Sequence, residues 1–410
     1  MAEIVPRWQK KSIQTAMTER RVLLLVGPHQ CGKTTLVRHL DMENTEYHTL
    51  DDGISREIAE IDPLEFITHE KGMLIIDEVQ KAPDLLSVVK MTVDENTQPG
   101  QFLLTGPSNV RKLPGVTESL AGRIAKIRLR TLTEGEIRNT KPGFLERAFD
   151  QDFKYNWHNY DRGELIEAAA RGGYPEAMGL GERARRRWHT DYVKALLERD
   201  LAEIARIKNH DAMRQLVRFL AAWSSRFIDL SAIGGGMSIQ RTTLESYINI
   251  LETMFLVERV SPWSDTDYGR VGKRRKIFMA DSGLIFSMLR LSVDLIRRDV
   301  DRSGKLLENF VFNELASFVD AGNGKYELHH YRDREKREID FIITRDDGAI
   351  LGIEVKASTT VRRSDFKHMK WFRDRATGKN PFVGIVLYCG KTAGSFGEGL
   401  WLLPLGAMWN

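Results

Sequence analysis

The chain has 410 residues, of which 42% are apolar, and a formal net charge of +4. That apolar content supports packed cores and excludes a disordered chain, and the length predicts two or three domains. Two cysteines, Cys31 and Cys389, are too few for a disulfide framework or a zinc site. The apolar runs are strand-length, which excludes a transmembrane helix and argues against a membrane partner. The first residues carry no apolar leader, so a cytoplasmic location is expected.

Residues 1–135 alternate strand and helix patterns, which predicts a parallel α/β sheet. The apolar run 22–26 reads as a fully buried strand and 33–40 as a helix. Between them GPHQCGKTT, residues 27–35, fits the phosphate-cradling pattern G-x-x-x-x-G-K-[ST]. Backbone N–H groups and the helix N-terminus of such a loop face a polyanion. Gly27 and Gly32 let the loop wrap tightly. Lys33 is expected to pair with the β- and γ-phosphates of ATP, and Thr34 to hold Mg2+, with Thr35 beside it in the nucleotide site.

A second apolar strand, 73–77, ends in Asp77 and Glu78. Asp77 is expected to hold Mg2+ and Glu78 to polarise the attacking water. Residues 83–92 read as a helix. A third strand, 101–105, ends in Thr105, read as a sensor of the γ-phosphate, with Asn109 as a further candidate. Residues 124–129 read as the last strand of the sheet. Arg123 and Arg199 are the two candidates for an arginine that touches the γ-phosphate, with action from a neighbouring subunit of a homo-oligomer as one route. Cys31, inside the loop, reads as a tolerated filler.

From 136 to 210 the pattern becomes helical and predicts a lid. The run Arg171-Gly172-Gly173-Tyr174-Pro175 breaks it, and a long helix follows from 182 to about 207. Residues 211–302 read as a winged-helix domain. Its first helix carries Leu216, Phe219, Leu220 and Trp223, and a short second helix from Asp229 is ended by Gly234, Gly235 and Gly236. Ser238 is read as the N-cap of a third helix, whose leading Gln240, Arg241, Thr242 and Thr243 would face a DNA major groove. Strands 256–260 and 277–280 flank a loop in which Lys273, Arg274, Arg275 and Lys276 form a basic wing, an electrostatic footprint for DNA. In ATPases such a module also serves as a lid or a protein contact.

Residues 303–410 form a last α/β unit, with a helix over 304–320 and two strands around 338–343 and 350–356. A three-residue loop, Asp346-Asp347-Gly348 with Gly348 left-handed, makes position 345 face 349. Asp340 then faces Glu354, and Lys356 shares their side of the sheet. A two-residue loop would put Asp340 on the opposite side. The first register gives a Mg2+ site with an amine beside it, as metal-dependent phosphodiester hydrolysis needs. Phe341, Ile343, Ile353 and Val355 alternate with these groups, so one strand face is expected to pack and the other to open on a cleft.

Together these residues resemble a bacterial and archaeal family of ATPases with an N-terminal AAA-type domain and a C-terminal domain of unknown function, part winged helix and part restriction-endonuclease-like. The marks are GPHQCGKTT, Leu50-Asp51-Asp52, IIDEVQKAPDLL, QFLLTG, ESLAGR, GGYPE, LERDL, Asp281-Ser282-Gly283-Leu284, LLENFVFNEL, YRDREKREIDFII and GIEVKAS. The resemblance implies an AAA-like P-loop core over 1–135, a helical lid over 136–210, a winged helix over 211–302 and a nuclease-like domain over 303–410. It also implies a helix carboxylate beside Asp340, Glu354 and Lys356. Glu308 fits that place, and Glu314 is its rival. His29 and Pro107 stand where the family usually has Arg and Ser. Three readings follow: an ATPase coupled to DNA cleavage, an ATP-gated DNA-binding or signalling switch with an idle nuclease fold, and a protein-remodelling ATPase.

Overall fold

A computed structural model describes residues 4–40, 42–70, 72–106, 122–153, 157–204, 210–265 and 274–410. Asn109, Pro107, residues 118–121 of ESLAGR, Arg270 and Lys273 lie outside them. The chain divides into two compact units, one of residues 6–131 with 253–255, the other of 4–5, 132–252 and 256–410 among the described residues.

In the first unit, five strands, β1 (Val22–Val26), β2 (Thr45–Thr49), β3 (Met73–Asp77), β4 (Phe102–Gly106) and β5 (Ile124–Arg128), form one sheet in the order β2-β3-β4-β1-β5. All its pairs are parallel. β1, β3 and β4 are buried along their whole length, because helices cover both sides of such a sheet. Alternate residues serve opposite faces. Val22, Leu24, Leu74, Ile76, Phe102 and Leu104 pack with Leu85, Val89 and Val93. Leu23, Leu25, Ile75 and Leu103 pack with Ile13, Met17, Leu36 and Val37. This is an α/β fold whose strand ends meet at one edge, where the phosphate loop begins.

The second unit opens with helices, including Arg162–Arg171 and Glu182–Ile204. Helix His210–Trp223 leads into β6 (Arg226–Phe227), helices Leu230–Met237 and Arg241–Thr253 follow, and β7 (Val257–Val260) and β8 (Lys276–Met279) complete a small sheet in the order β6-β8-β7. The glycines at 234–236 do not end their helix, as the sequence suggested. They lie inside Leu230–Met237, where Gly234 is needed because an added Cβ would meet the Ile239 carbonyl oxygen at 2.8 Å. Ser238, expected to begin the next helix, is the left-handed residue that closes this one.

The remaining strands, β9 (Tyr326–Arg332), β10 (Glu338–Arg345), β11 (Ile350–Lys356), β12 (Phe382–Tyr388), β13 (Gly394–Gly397) and β14 (Leu400–Pro404), form a mixed sheet in the order β13-β14-β12-β11-β10-β9. The 22-residue helix Val300–Ala321 is N-capped by Asp299, which accepts from Arg302 N at 3.0 Å, and it packs on β9 and β11. Leu307, Val311, Leu315 and Phe318 form its buried stripe.

Candidate functional site

The phosphate loop leaves β1 at Val26 and enters the helix Lys33–Arg38 through Gly32, which is left-handed at φ 97°. Gly27 has no room for a side chain: a Cβ there would lie 2.2 Å from the Leu129 carbonyl oxygen. Lys33 is buried at 5% exposure, and its ammonium donates to Gly27 O at 3.2 Å and Pro28 O at 3.0 Å. Thr35 is exposed. Cys31 is buried as a free thiol. Arg7, which no motif marked, braces the loop: its guanidinium donates to Cys31 O at 2.8 Å and to Arg130 O at 2.7 Å.

Asp77 is the hub of the strand ends. Its Oδ2 accepts from Thr34 Oγ1 at 2.8 Å and from the Tyr47 hydroxyl at 2.8 Å, and its Oδ1 accepts from Thr105 Oγ1. Thr105 in turn accepts from Glu78 N at 3.1 Å. The sequence thus brings Thr34, Asp77 and Thr105 together, while Tyr47, on β2, was not foreseen. Burial, then the hydrogen bond to Asp77 and then its charge, raise the Tyr47 phenol above its usual range. Glu78 adopts a left-handed backbone at φ 61° and its carboxylate accepts from Gln80 Nε2. That conformation is uncommon for a residue with a side chain, and it turns Glu78 out of the strand line directly after Asp77.

The two candidate arginines fall elsewhere. Arg123 precedes β5 at the strand's starting end and pairs with Asp94. The register Val22↔Ile124 and Val26↔Arg128 separates it from the loop by most of a strand, on the order of 16 Å, too far to reach a phosphate in its own loop. Arg199 is exposed on Glu182–Ile204 in the second unit.

In the second unit the β10–β11 hairpin has the foreseen register, Phe341↔Ile353 to Thr344↔Ile350, with Gly348 left-handed at φ 85°. Beyond the ladder's end, Asp340 Oδ2 accepts from Val355 N at 2.9 Å. Lys356 Nζ lies 2.9 Å from Glu354 Oε1. Glu308, from Val300–Ala321, joins this group. Glu314 does not: it is buried elsewhere, accepting from Glu134 N at 2.7 Å and Trp409 Nε1 at 2.6 Å.

One placement departs sharply from the sequence reading. Lys276, grouped there with a solvated wing, is 1% exposed on β8. Its ammonium lies 2.6 Å from Glu308, 3.0 Å from Glu338 and 3.3 Å from Asp340. Asp340 itself is 9% exposed, and Ile339 to Ile343 are all buried, so this face of β10 is covered rather than open to a cleft. Burial works against the Lys276 charge, but Glu308, Asp340 and Glu338 raise its pKa well above the usual lysine value. Burial and the Asp340 charge push Glu308 and Glu354 up to about 8, against the pull of Lys276 and Lys356. Among the described residues no group of three His, Cys, Asp or Glu side chains is arranged to hold a metal ion.

Three family models match. Residues 19–138 match an AAA domain, 162–295 a domain of unknown function (DUF8612) and 303–408 another domain of unknown function (DUF4143). An uncharacterized protein of Mycobacterium tuberculosis is 27% identical over 354 residues, spanning 85% of this chain and 73% of that protein. An uncharacterized protein of Haemophilus influenzae is 24% identical over 335 residues, spanning 78% and 74%. AMPPCP-bound DnaA from Aquifex aeolicus superposes with a TM-score of 0.30 at 15% identity, over 59% of this chain and 85% of that one. No helix among the described residues is long and apolar enough to cross a membrane. With the parallel sheet and the loop at its strand ends, the match over 19–138 gives the first unit the fold of an AAA-type P-loop ATPase.

Proposed function

We propose that the protein binds and hydrolyses ATP with Mg2+ at the loop of residues 27–35. The observation that carries this reading is the Thr34 hydroxyl 2.8 Å from the Asp77 carboxylate, with the buried Lys33 ammonium in the same loop. These are the groups a P-loop uses for Mg2+ and for the β- and γ-phosphates, and they lie on the loop and the strand end beside it. Bound Mg2+ would neutralise charge on the phosphates. Lys33 would exchange the Gly27 and Pro28 carbonyls for phosphate oxygens. The loop N–H groups and the start of Lys33–Arg38 would hold the polyanion. Glu78, next to Asp77, would orient the attacking water, and Thr105, bonded to Asp77 and to Glu78 N, would tie the two acids to the γ-phosphate position. An arginine from a neighbouring subunit of a homo-oligomer, Arg123 or Arg199, would complete the site. Mg2+-dependent ATP turnover that disappears in Lys33→Ala tests the reading.

A second element of the reading is that nucleotide state governs contact with DNA. Gln240, Arg241 and Thr242 are exposed at the start of Arg241–Thr253, while Leu244, Ile248 and Leu251 are buried behind them. This is the exposure a groove-reading helix needs. Changing Gln240 and Arg241 to Ala should weaken binding to duplex DNA in a salt-dependent titration. Wild type with no DNA affinity at low salt would favour a protein-remodelling ATPase.

A further inference from the structure

We propose that Lys276 is a tethered cation that closes the Glu308–Glu338–Asp340–Glu354 cluster to divalent metal. The nuclease-like end of the chain is then a lysine-centred ionic junction and not a metal-dependent phosphodiesterase centre. The inference is independent of the P-loop reading, since Lys276 and its partners all belong to the second unit and the loop belongs to the first.

The argument starts from the cost of burial. An ammonium removed from water is retained only where close carboxylates replace its solvation. Lys276 meets that condition three times, at 2.6, 3.0 and 3.3 Å from Glu308, Glu338 and Asp340. Two aromatic rings also flank it, with the Phe227 and Phe278 ring centres at 5.7 and 5.9 Å. The oxygens that face the ammonium are those a divalent ion would need. Mg2+ asks for oxygens at roughly 2.0–2.1 Å in octahedral array, and it cannot share that centre with a fixed positive charge. The second oxygen of Asp340 is already engaged by Val355 N at 2.9 Å, and Glu354 by Lys356 at 2.9 Å. Glu338 has a further cation in Arg332, at 3.6 Å. The residues that the nuclease resemblance assigns to metal thus have their charge answered from within the chain.

The junction also has a structural consequence. Lys276 belongs to β8, the middle strand of the small sheet, whereas its partners belong to Val300–Ala321 and β10. The ammonium therefore ties the segment that follows residues 211–260 to the C-terminal sheet. A metal could enter that centre only by displacing the Lys276 ammonium from Glu308, Glu338 and Asp340.

The test is a Mn2+ titration of the nucleotide-free, full-length protein, read from the free-ion electron paramagnetic resonance signal. Wild type should show no saturable site at submillimolar Mn2+. Lys276→Met should gain one, and Lys276→Met with Asp340→Asn should lose it again. A folded Lys276→Met protein that binds no Mn2+ would overturn the proposal. Should that variant fail to fold, wild type alone decides: oxidative backbone cleavage with Fe2+ and ascorbate should leave the chain intact around 338–356. Cleavage there, or a stoichiometric wild-type Mn2+ site abolished by Asp340→Asn, would show that the cluster takes metal despite Lys276.

Discussion

Thr34 Oγ1 donates a 2.8 Å hydrogen bond to Asp77 Oδ2, joining the end of the phosphate loop to the end of a strand two positions away in the sheet. The same oxygen accepts from Tyr47 at 2.8 Å. Tyr47 thus fixes the carboxylate from the side opposite the loop. A hydrogen bond to a charged group is worth about 1.5–3 kcal/mol when buried, and half-burial here reduces it. Tyr47→Phe should therefore lower kcat by up to roughly tenfold, raise the Mg2+ concentration needed for half-maximal rate, and lower the melting temperature modestly. Unchanged Mg2+ dependence would show that Asp77 is held adequately without the phenol.

Gly27 should tolerate no side chain. A Cβ 2.2 Å from the Leu129 carbonyl oxygen overlaps backbone, which cannot step aside as a flexible side chain could. Overpacking of this kind costs about 1–3 kcal/mol. Gly27→Ala should lower the melting temperature and weaken binding of a fluorescent ATP analogue together. An Ala variant with wild-type stability and binding would mean that the loop and the segment after β5 can separate freely.

Arg7 should act by positioning. Its hydrogen bonds to Cys31 O and Arg130 O tie the loop to the end of the sheet through a planar fork that lysine cannot reproduce. Arg7→Ala and Arg7→Lys should both raise the KM for ATP by roughly tenfold, with a smaller change in kcat. If the lysine variant restores wild-type KM, charge alone and not the fork is what matters.

Glu314 should make stability depend on pH. Burial, foremost, raises its pKa from 4.5 to about 8, opposed by the bonds from Glu134 N and Trp409 Nε1 and assisted by the charges of Glu134 and Glu136. Between those values the folded chain holds a proton that the unfolded chain has lost. The stability this contributes is fully present below the unfolded pKa and is lost as pH rises through the folded one. The slope is at most about 1.4 kcal/mol per pH unit. Melting temperature should fall more steeply with rising pH in wild type than in Glu314→Gln, which stays neutral. Parallel profiles would mean that Glu314 is ionised throughout.

What the sequence disclosed follows from the range of the forces involved. The phosphate loop, the acid pair at 77–78 and the β10–β11 register depend on local rules: a glycine turn, an apolar run with a charged end, and a left-handed Gly348 that fixes which residues face each other. Glu308 fits the helix position better than its rival Glu314, and six residues turn a helix by about 240° and send the two to different faces. Lys276, Tyr47 and Arg7 were illegible for another reason. Lys276 sits in a basic run beside the exposed Arg274 and Arg275, and nothing local reveals that β8 turns this one residue toward β10. Tyr47 and Arg7 act through partners far along the chain, on elements that carry no motif. The glycine run at 234–236 misled because it normally ends helices, whereas here the helix continues to Met237 and close approach of Ile239 requires Gly234.

The most direct test of the central claim is the steady-state rate of Mg2+-dependent ATP hydrolysis by wild type, Lys33→Ala and Glu78→Gln, with binding of a fluorescent ATP analogue measured in parallel. Wild type should turn over and bind. Lys33→Ala should do neither. Glu78→Gln should bind normally and hydrolyse roughly 10²–10⁴-fold more slowly, the usual loss when a positioned carboxylate is removed. A wild type with no Mg2+-dependent turnover, or a Lys33→Ala variant that keeps the wild-type rate, would contradict the account.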